Sequence, residues 1–387
     1  MLKAIKIFGK IKDPRQETKV KHKLLDCVIL TLAGVICGAE MWEQIEGFGH
    51  ARYDYLQAYL DLPNGIPSHD TIRRVMGIID PKQLNKCYQE WISTIIPQNK
   101  GDMIAIDGKT VCGSGNKGKG IKPIHMVSAW SNRSGMTLGQ IKTLEKSNEI
   151  TAIPELLEIL SLEGSIVTID AMGCQTKIAE KIAKGKADYV LSCKENQPQL
   201  YREIEEYFQF ADDCNYLDIA HETTGTSEKS RNRIEKRHYD MIYDCEMLER
   251  MREFHGAKAI GRVRSRTIYC SDGRVTEDTR YYITSLNKDV GVTRFAQAVR
   301  SHWGIENSCH WVLDVTFGED ANRTRDLIAA ENLTIARKLA LALSKKVSDK
   351  IVEKYARKKA KYTSMKFRLW LAALYPEFML QVLLAGA

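Results

Sequence analysis

The spacing of hydrophobic positions divides the chain at about residue 100. Before that point the apolar residues recur with a helical period, and turn residues separate the periodic segments. Pro63, Gly65 and Pro67 mark one such turn, and Ser68 is a residue type favoured as an N-cap. Helices are predicted at 20–38, 41–60, 68–78 and 81–96. Residues 1–98 are therefore predicted to form a small all-α domain.

After residue 102 the pattern predicts strands and helices together. Short apolar runs predict an antiparallel meander, and longer periodic segments then alternate with further strands. The predicted order is strand, strand, strand, helix, strand, helix and strand, at 103–109, 124–131, 135–144, 149–162, 165–170, 175–184 and 188–193. Ser147 or Asn148 is expected to cap the first of these helices. This order is typical of a mixed α/β sheet and not of a plain doubly wound one.

The remainder of the chain changes character twice. Residues from about 195 to 287 hold β-rich segments separated by charged turns, which we interpret as an insertion. Helical periodicity returns at 291–317 and 327–344, and the tail, 345–387, is first basic, then apolar, and is expected to be helical. The core domain is therefore predicted to span 99–344.

Composition indicates a globular protein. Of 387 residues, 44% are hydrophobic and 27% are charged, and the length allows two or three domains. The longest apolar run, 24–39, is short for a membrane span and contains Asp26, and no signal-peptide pattern opens the chain. The ten cysteines include no CxxC pair, which fits a reducing cytoplasm and neither a zinc site nor a disulfide framework.

The formal net charge of +8 is modest, but the basic residues are clustered. Segments 3–23 and 345–361 each hold eight Lys or Arg against two acids. This clustering favours a polyanionic partner, with ordinary solvated surface as the alternative. Arg73 and Arg74 on the predicted 68–78 helix are candidate DNA contacts, because a helix, a tight turn and a helix could form a helix-turn-helix. Any small helical bundle offers the same pair of helices.

Two predicted strands end in an aspartate, Asp107 in IAID and Asp170 in VTID. A carboxylate there is costly unless it is paired or bound to metal, and open α/β sheets place their chemistry at strand ends. Glu306 could be aimed at the same point, because it belongs to a row of polar residues at i, i+4 spacing on one helix face. The row is His302, Glu306, His310 and Asp314. Carboxylates suit Mg²⁺ or Mn²⁺, and two ions about 3.5–4 Å apart can promote an in-line phosphoryl displacement.

Other assignments of these side chains stay open from the residues alone. A strand-end aspartate is often a turn residue or a helix cap. Other carboxylates close in sequence to Glu306 could ligate the metal instead, namely those of Asp314, Glu319 and Asp320. A zinc helix is disfavoured, because HExxH is absent and the two histidines of the row are eight residues apart.

A set of longer stretches carries a family resemblance. In chain order they are DPRQ (13–16), GIPSHDTIRRV (65–75), IAIDGKT (104–110), HMVSAW (125–130), EKSNEITAIPELL (145–157), TIDAMGCQ (168–175), DYVLSCKENQ (188–197) and HWGIENSCHWVLDVTFGED (302–320). On these stretches the sequence resembles the DDE transposases of bacterial insertion sequences, specifically the H-repeat-associated (ISAs-type) group. The resemblance implies an α/β fold, an RNase H-like mixed-sheet catalytic core with a β-rich insertion, preceded by a small all-α domain. It also implies that Asp107, Asp170 and Glu306 are the catalytic, metal-binding acids.

The same resemblance implies a DNA transposase of the bacterial cytoplasm that acts at the nucleoid. It would cleave DNA at insertion-sequence ends and transfer the strands into target DNA, with two Mg²⁺ ions for which Mn²⁺ can substitute. The expected partners are double-stranded DNA and, on paired ends, a second copy of the chain, but neither a membrane nor a small-molecule substrate. The alternatives are another RNase H-like nuclease, such as a junction resolvase, which cuts without joining, and a non-catalytic DNA-binding remnant.

Two departures from the family pattern affect the expected DNA contacts. Relatives carry Tyr-x-x-Arg before the glutamate where this chain has Val299 and His302, so His302 would replace the arginine only when protonated. Relatives show His-Gly-Arg-x-Glu-x-Arg where this chain has different residues at 231–232, while Arg233 and Arg237 remain as candidate DNA contacts.

Two further places are expected to contact DNA, each with an alternative. Lys109, beyond Asp107, either binds a phosphate oxygen or is a solvated turn lysine. Lys194, Asn196 and Gln197 follow the fifth strand and either contact the DNA backbone or a displaced base, or form an ordinary loop.

Overall fold

The computed structural model describes residues 2–96, 100–143, 149–230, 232–243 and 245–385. The helix caps expected at Ser147 and Asn148 lie outside these ranges. The helices are α1 (Leu2–Phe8), α2 (Leu24–Ile36), α3 (Trp42–Ala51), α4 (Tyr53–Leu56), α5 (His69–Ile78), α6 (Pro81–Ile95), α7 (Glu149–Glu158), α8 (Thr176–Lys184), α9 (Pro198–Asp213), α10 (Gly291–Ile305), α11 (Trp311–Phe317), α12 (Leu327–Lys346), α13 (Asp349–Ala356), α14 (Met365–Leu374) and α15 (Pro376–Leu384). The strands are β1 (Met103–Thr110), β2 (His125–Ser131), β3 (Met136–Thr143), β4 (Ile166–Ile169), β5 (Asp188–Cys193), β6 (His221–Ser230), β7 (Arg233–Ile242), β8 (Ala259–Tyr269) and β9 (Val275–Thr284).

Side-chain caps fix where two of the N-terminal helices begin. Ser68, as predicted, accepts a hydrogen bond from the backbone N of Thr71 and starts α5. Asp80 caps α6 in the same way and is followed by Pro81 at the first helical position, where a missing N–H costs nothing. The single helix predicted over 41–60 is divided into α3 and α4.

The strands form one mixed sheet in the order β3-β2-β1-β4-β5-β9-β8-β7-β6. β1, β2 and β3 are antiparallel neighbours, whereas β4 and β5 run parallel to β1. A three-stranded meander followed by parallel strands with intervening helices is the RNase H-like arrangement, so this prediction is confirmed. Ile106 of β1 pairs with Ile169 of β4, which brings the following residues, Asp107 and Asp170, to the same edge of the sheet.

The insertion continues the central sheet and does not form a separate layer. β9 pairs antiparallel with β5, and β8, β7 and β6 follow in turn. The β-rich character is found from residue 221 onwards, but residues 198–213 form helix α9, which the prediction missed. Its residues Leu200, Ile204 and Phe208 recur every four positions and are buried in the core that includes β9.

One hydrophobic core joins the two ends of the chain. Helix α12 is buried over most of its length and packs against α2, α5 and α6 from the N-terminal region. It also packs against α14 and α15 from the tail, and all six helices contribute to the same apolar cluster. A second core lies between the sheet and helices α7, α8 and α9. The domain boundaries at 98 and 344 stay predictions.

The strongly apolar helix α2 lies inside the helical core. It has 13 residues, nearly all of them buried, and the carboxylate of Asp26 accepts a hydrogen bond from the backbone N of Leu62 at 3.2 Å. Within the described residues, no helix combines the length and the hydropathy that a bilayer crossing requires.

Candidate active site

Asp107 lies inside β1, not at its end as predicted, and Asp170 directly follows β4. Each is anchored by a backbone amide at the point where the pairing of β1 with β4 stops. Oδ1 of Asp107 accepts a hydrogen bond from the N of Gly108 at 2.9 Å. Oδ1 of Asp170 accepts one from the N of Met172 at 3.1 Å and so caps a short 3₁₀ turn. Asp170 is therefore a cap, as the alternative interpretation expected, but only its Oδ1 takes part in the cap.

Glu306 begins a π-helical turn between two α-helices. Helix α10 ends at Ile305, the turn spans Glu306–His310, and α11 begins at Trp311. A π-helical turn widens the helix by one residue and frequently occurs at functional sites. The regular i, i+4 row expected along one continuous helix is therefore interrupted at Glu306, whose side chain is exposed.

The three predicted acids form one electrostatic cluster. Burial raises the pKa of Asp107 to about 7, with contributions from neighbouring carboxylates that include Asp170 and Glu306. Burial and then the carboxylate of Glu149 raise the pKa of Asp170. Burial and, to a smaller extent, Asp170 raise the pKa of Glu306, while the guanidinium of Arg280 opposes this rise. Negative charge is therefore concentrated at this edge of the sheet.

The donor chemistry of this cluster fits a hard divalent cation. Three carboxylates offer only oxygen ligands, which Mg²⁺ and Mn²⁺ prefer, and a cation relieves the repulsion between them. In the described part of the chain, no three His, Cys, Asp or Glu side chains lie close enough to enclose one ion as they stand. The assignment of Asp107, Asp170 and Glu306 as metal ligands therefore stays a prediction.

Lys109 forms ion pairs with the three acids that were the alternatives to Glu306 as metal ligands. Its Nζ lies 2.7 Å from Asp314 Oδ1, 3.1 Å from Glu319 Oε2 and 3.2 Å from Asp320 Oδ1, and its side chain is only 10% exposed. Burial lowers the pKa of Lys109, but these acids, Glu319 foremost, raise it overall. This geometry argues against both interpretations of Lys109, the phosphate contact and the solvated turn lysine. Instead the side chain ties β1 to α11 and the segment that follows it.

The two histidines beside Glu306 face the strands and not the solvent. His302 Nδ1 lies 3.0 Å from the Oγ1 of Thr168 in β4, and burial lowers the pKa of His302 to about 4. His310 Nδ1 lies 3.4 Å from Oδ2 of Asp107, and burial lowers the pKa of His310 to about 3. Both rings are therefore neutral near pH 7. A buried, neutral His302 cannot supply the positive charge of the family's arginine, so the expectation that it does so when protonated is corrected.

A cation that sequence reasoning missed, Arg280, lies beside Glu306. Its Nε pairs with Asp278 Oδ2 at 2.7 Å, and its guanidinium carbon lies 5.7 Å from the ring centroid of Trp303. Together with Asp170 and other residues it lines an open cavity of about 570 Å³. No sequence signal pointed to it, because only the pairing of β9 with β5 brings Arg280 to the acids.

The loop after β5 has a mixed role. Lys194 is exposed and lines the same cavity as Asp170. Asn196 Nδ2 donates to the carbonyl oxygen of Ala171 at 2.6 Å, and Gln197 Nε2 donates to that of Cys174 at 2.9 Å. Both amides therefore hold the turn that follows Asp170, which supports the ordinary-loop interpretation for them and leaves Lys194 as the candidate DNA contact.

Arg233 and Arg237 lie on the outer half of β7 and are paired within the insertion. Arg233 Nε lies 2.6 Å from Glu235 Oε1. Arg237 binds the same glutamate and lies 3.2 Å from Glu228 Oε2. Residue 231, the first of the altered motif, lies outside the described residues. The structure thus separates these two arginines from the acid cluster and assigns their charge to local ion pairs.

Arg73 and Arg74 lie on the outer side of α5. Arg73 pairs with Asp70 at 3.0 Å, and Arg74 Nε donates to the Asp70 carbonyl oxygen at 3.2 Å. The other side of α5 is held in the helical core, where Asn332 Nδ2 donates to the carbonyl oxygens of Met76 and Ile79. The helix is therefore a fixed part of the core that presents two arginines outward.

The sequence matches two protein-family models and several curated proteins. The model described as "Transposase DDE domain" matches residues 98–343, and the model described as "DDE_Tnp_1-associated" matches residues 5–92. "Putative transposase YncI" of Escherichia coli O157:H7 is 45% identical over 347 residues, which is 88% of this chain and 86% of that protein. "H repeat-associated putative transposase YhhI" of Escherichia coli strain K12 is 42% identical over 358 residues, which is 92% of this chain and 93% of that protein.

A solved structure gives a distant match. The cryo-EM structure of the piggyBac transposase synaptic complex with hairpin DNA aligns with 98% of this chain and 77% of its own, at a TM-score of 0.40 and 12% identity.

Proposed function

We propose that Asp107, Asp170 and Glu306 form the catalytic centre of this protein. The chain belongs to the Transposase DDE domain family and is a DNA transposase. The observation that carries this proposal is the parallel register of β1 and β4, which aligns the residues before the two aspartates. In addition, the second acid, Asp170, contributes to the raised pKa of the third, Glu306. Acids this far apart in sequence are brought into one cluster only by the fold.

These three side chains would hold divalent cations, which we take to be two Mg²⁺ ions with Mn²⁺ as a substitute. Bound there, the ions would supply activation of an attacking oxygen and stabilisation of a leaving oxygen. The protein's part is to fix the ligands. The backbone N of Gly108 orients Asp107, and the turn supported by Asn196 and Gln197 orients Asp170.

The reaction consists of two displacements at phosphorus. In the first, water attacks a phosphodiester at an element end, so that one P–O bond forms, another breaks, and a 3′-OH is released. In the second, that 3′-OH attacks a phosphodiester of target DNA, so that a new P–O bond joins the two strands while a P–O bond of the target breaks and releases a target 3′-OH. No covalent bond to the enzyme is needed, so orientation and charge neutralisation supply most of the acceleration.

The DNA would enter along the open cavity beside Asp170. Lys194 and Arg280 line this cavity, and their positive charge suits the phosphate backbone. We propose double-stranded DNA, as element ends and as target, for this surface. Two ends are processed together most simply by a homodimer, and the place of action would be the nucleoid of a bacterial cell.

The test is a strand-transfer assay on labelled DNA ends, taken from the inverted repeats that flank the reading frame, with a supercoiled target and Mg²⁺. We expect cleavage and joining by the wild-type protein. Asp107→Ala, Asp170→Ala and Glu306→Ala are expected to reduce both to background, whereas Glu206→Ala, which removes an exposed acid from α9, is expected to leave both unchanged.

Two outcomes of this assay contradict the proposal. Cutting without joining would support the resolvase-like alternative. Background activity in the wild-type protein, on ends that it binds, would support the non-catalytic alternative.

A further inference from the structure

A buried histidine–glutamate pair lies behind the end of β1. His125 Nε2 of β2 lies 2.6 Å from Oε1 of Glu149, the first residue of α7. Their side chains are 3% and 4% exposed. Sequence reasoning gave neither residue a role, although both lie in stretches that carry the family resemblance.

The pair is held in a fixed orientation. His125 Nδ1 lies 2.8 Å from the Oγ1 of Thr110, at the end of β1. Both ring nitrogens of His125 therefore lie within hydrogen-bond distance of a partner, which is Glu149 for Nε2 and Thr110 for Nδ1. These two contacts fix the orientation of the ring and, through it, that of the Glu149 carboxylate.

Gly108 shows how closely the pair approaches β1. A Cβ at this position would lie 2.4 Å from Oε1 of Glu149 and 2.4 Å from Nε2 of His125, far inside van der Waals contact. Side chains alternate along a strand, so Glu149 approaches from the face of the sheet opposite to that of Asp107. The absence of a side chain at Gly108 thus lets the carboxylate of Glu149 lie against the backbone of β1, one residue from Asp107.

Glu149 raises the pKa of two of the three predicted metal ligands. After burial, it is the largest cause of the raised pKa of Asp170, and it also raises that of Asp107. Negative charge this close to a cation site increases the affinity of the site for cations.

We propose that Glu149, held by His125, is a fourth carboxylate of the catalytic centre, a positioning residue that strengthens divalent-cation binding without ligating the ion. This inference rests on the proposed function, because it takes the three acids as the cation site. Residues in such outer positions typically change metal affinity by about 10–100-fold when they are replaced.

A purely structural role makes a different prediction. If the pair only fastens α7 to β2, its loss lowers thermal stability and leaves the affinity for cations unchanged. Metal affinity measured apart from stability therefore separates the two roles.

The experiment is a titration of the purified full-length protein with Mn²⁺, followed by electron paramagnetic resonance of the free ion. We expect Glu149→Gln to weaken Mn²⁺ binding about 10–100-fold. The matched control is Glu155→Gln, which removes the same charge from an exposed position of the same helix and is expected to change the affinity less than about twofold. Asp107→Asn, which removes a proposed ligand, identifies the binding event as that of the acid cluster.

His125→Leu provides a second variant, with melting in EDTA as the check that each protein is folded. It keeps the carboxylate but removes its donor, and we expect weaker Mn²⁺ binding here as well. Wild-type affinity in both variants, with binding still lost in Asp107→Asn, overturns this inference and leaves the proposed function intact. Binding that Asp107→Asn does not change overturns both.

Discussion

The buried carboxyl group of Asp107 makes the stability of the fold depend on pH. Burial, with neighbouring carboxylates, raises its pKa from 3.8 to about 7. Between these values the folded chain keeps a proton that the unfolded chain has released, so stability falls as the pH rises through this window and the loss is complete above pH 7. Without a cation, an ionised carboxylate at this position destabilises the folded chain, and a bound cation would remove that cost.

Asp107→Asn is therefore expected to stabilise the metal-free protein. We predict an increase of about 1–2 kcal/mol in unfolding free energy in EDTA at pH 8, and a smaller increase at pH 5.5. Thermal melting at the two pH values measures it, and cleavage activity should be lost in the same variant. A variant that melts below the wild-type protein at pH 8 would contradict this account of the side chain.

Lys109 has a structural role that its sequence position concealed. One of its partners, Glu319, is 1% exposed, so removal of the ammonium would leave a buried carboxylate without its counter-charge. We predict that Lys109→Met lowers the unfolding free energy by about 3–5 kcal/mol in urea denaturation. Lys117→Met, at an exposed position nearby, should change it by less than about 0.5 kcal/mol. Equal midpoints for the two variants would refute the role.

Sequence reasoning could find the three acids but not their surroundings. Asp107 and Asp170 follow apolar strands, which is a local signal, and the motif around Glu306 added the third acid. The ion pairs of Lys109, the burial of His302 and the approach of Arg280 depend on which strands pair and on how the helices cross them. No spacing along the chain encodes those contacts.

At the level of elements, the π-helical turn Glu306–His310 allows Glu306 and His310 to serve different neighbours. Asp170 contributes to the raised pKa of Glu306, while His310 Nδ1 lies 3.4 Å from Asp107 Oδ2. An α-helical turn has one residue fewer and would rotate one of the two side chains by about 100° away from the strands.

Deletion of Asn307 is therefore expected to abolish cleavage while the protein stays folded. Far-ultraviolet circular dichroism checks the helix content, and the strand-transfer assay measures activity. Asn307→Ala, which keeps the length of the turn at an exposed position, should retain activity. Full activity in the deletion variant would mean that the turn has no part in placing Glu306.

β9 brings the insertion to the acid cluster through Arg280. We predict that Arg280→Gln weakens DNA binding and reduces the slope of log affinity against log salt by about one. Binding measured by fluorescence anisotropy at several salt concentrations tests this. Lys184→Gln, an exposed charge change on α8, should leave the slope unchanged. An unchanged slope in Arg280→Gln would exclude a phosphate contact by this residue.

The element order was more predictable than the element boundaries. Strict periodicity predicted the meander and the alternating strands, and the capping residue Ser68 predicted where α5 begins. Helix α9 was missed, although Leu200, Ile204 and Phe208 have helical spacing, because the charged, β-rich segments after it dominated the interpretation. The π-helical turn has no periodicity signal of its own.

At the scale of the whole molecule, the chain closes on itself through α12. This helix packs against the N-terminal helices and against α14 and α15 of the tail, in one apolar core. Leu369, Phe378 and Val382 of the tail are buried in it. The tail is therefore part of the fold that supports the sheet.

Truncation after Lys346 should consequently destabilise the N-terminal helices as well. We predict that the shortened chain loses cooperative unfolding or aggregates, because it exposes the apolar surface that α14 and α15 cover. Circular dichroism during thermal melting tests the prediction. A shortened chain that melts like the full chain would show that the tail is dispensable.

Crystals soaked in Mn²⁺ would show directly whether Asp107, Asp170 and Glu306 share divalent cations. An anomalous difference map locates the ion without reference to activity. We expect manganese peaks between these three carboxylates, which disappear in Asp107→Asn crystals. Peaks elsewhere on the protein, with none at this edge of the sheet, would contradict it.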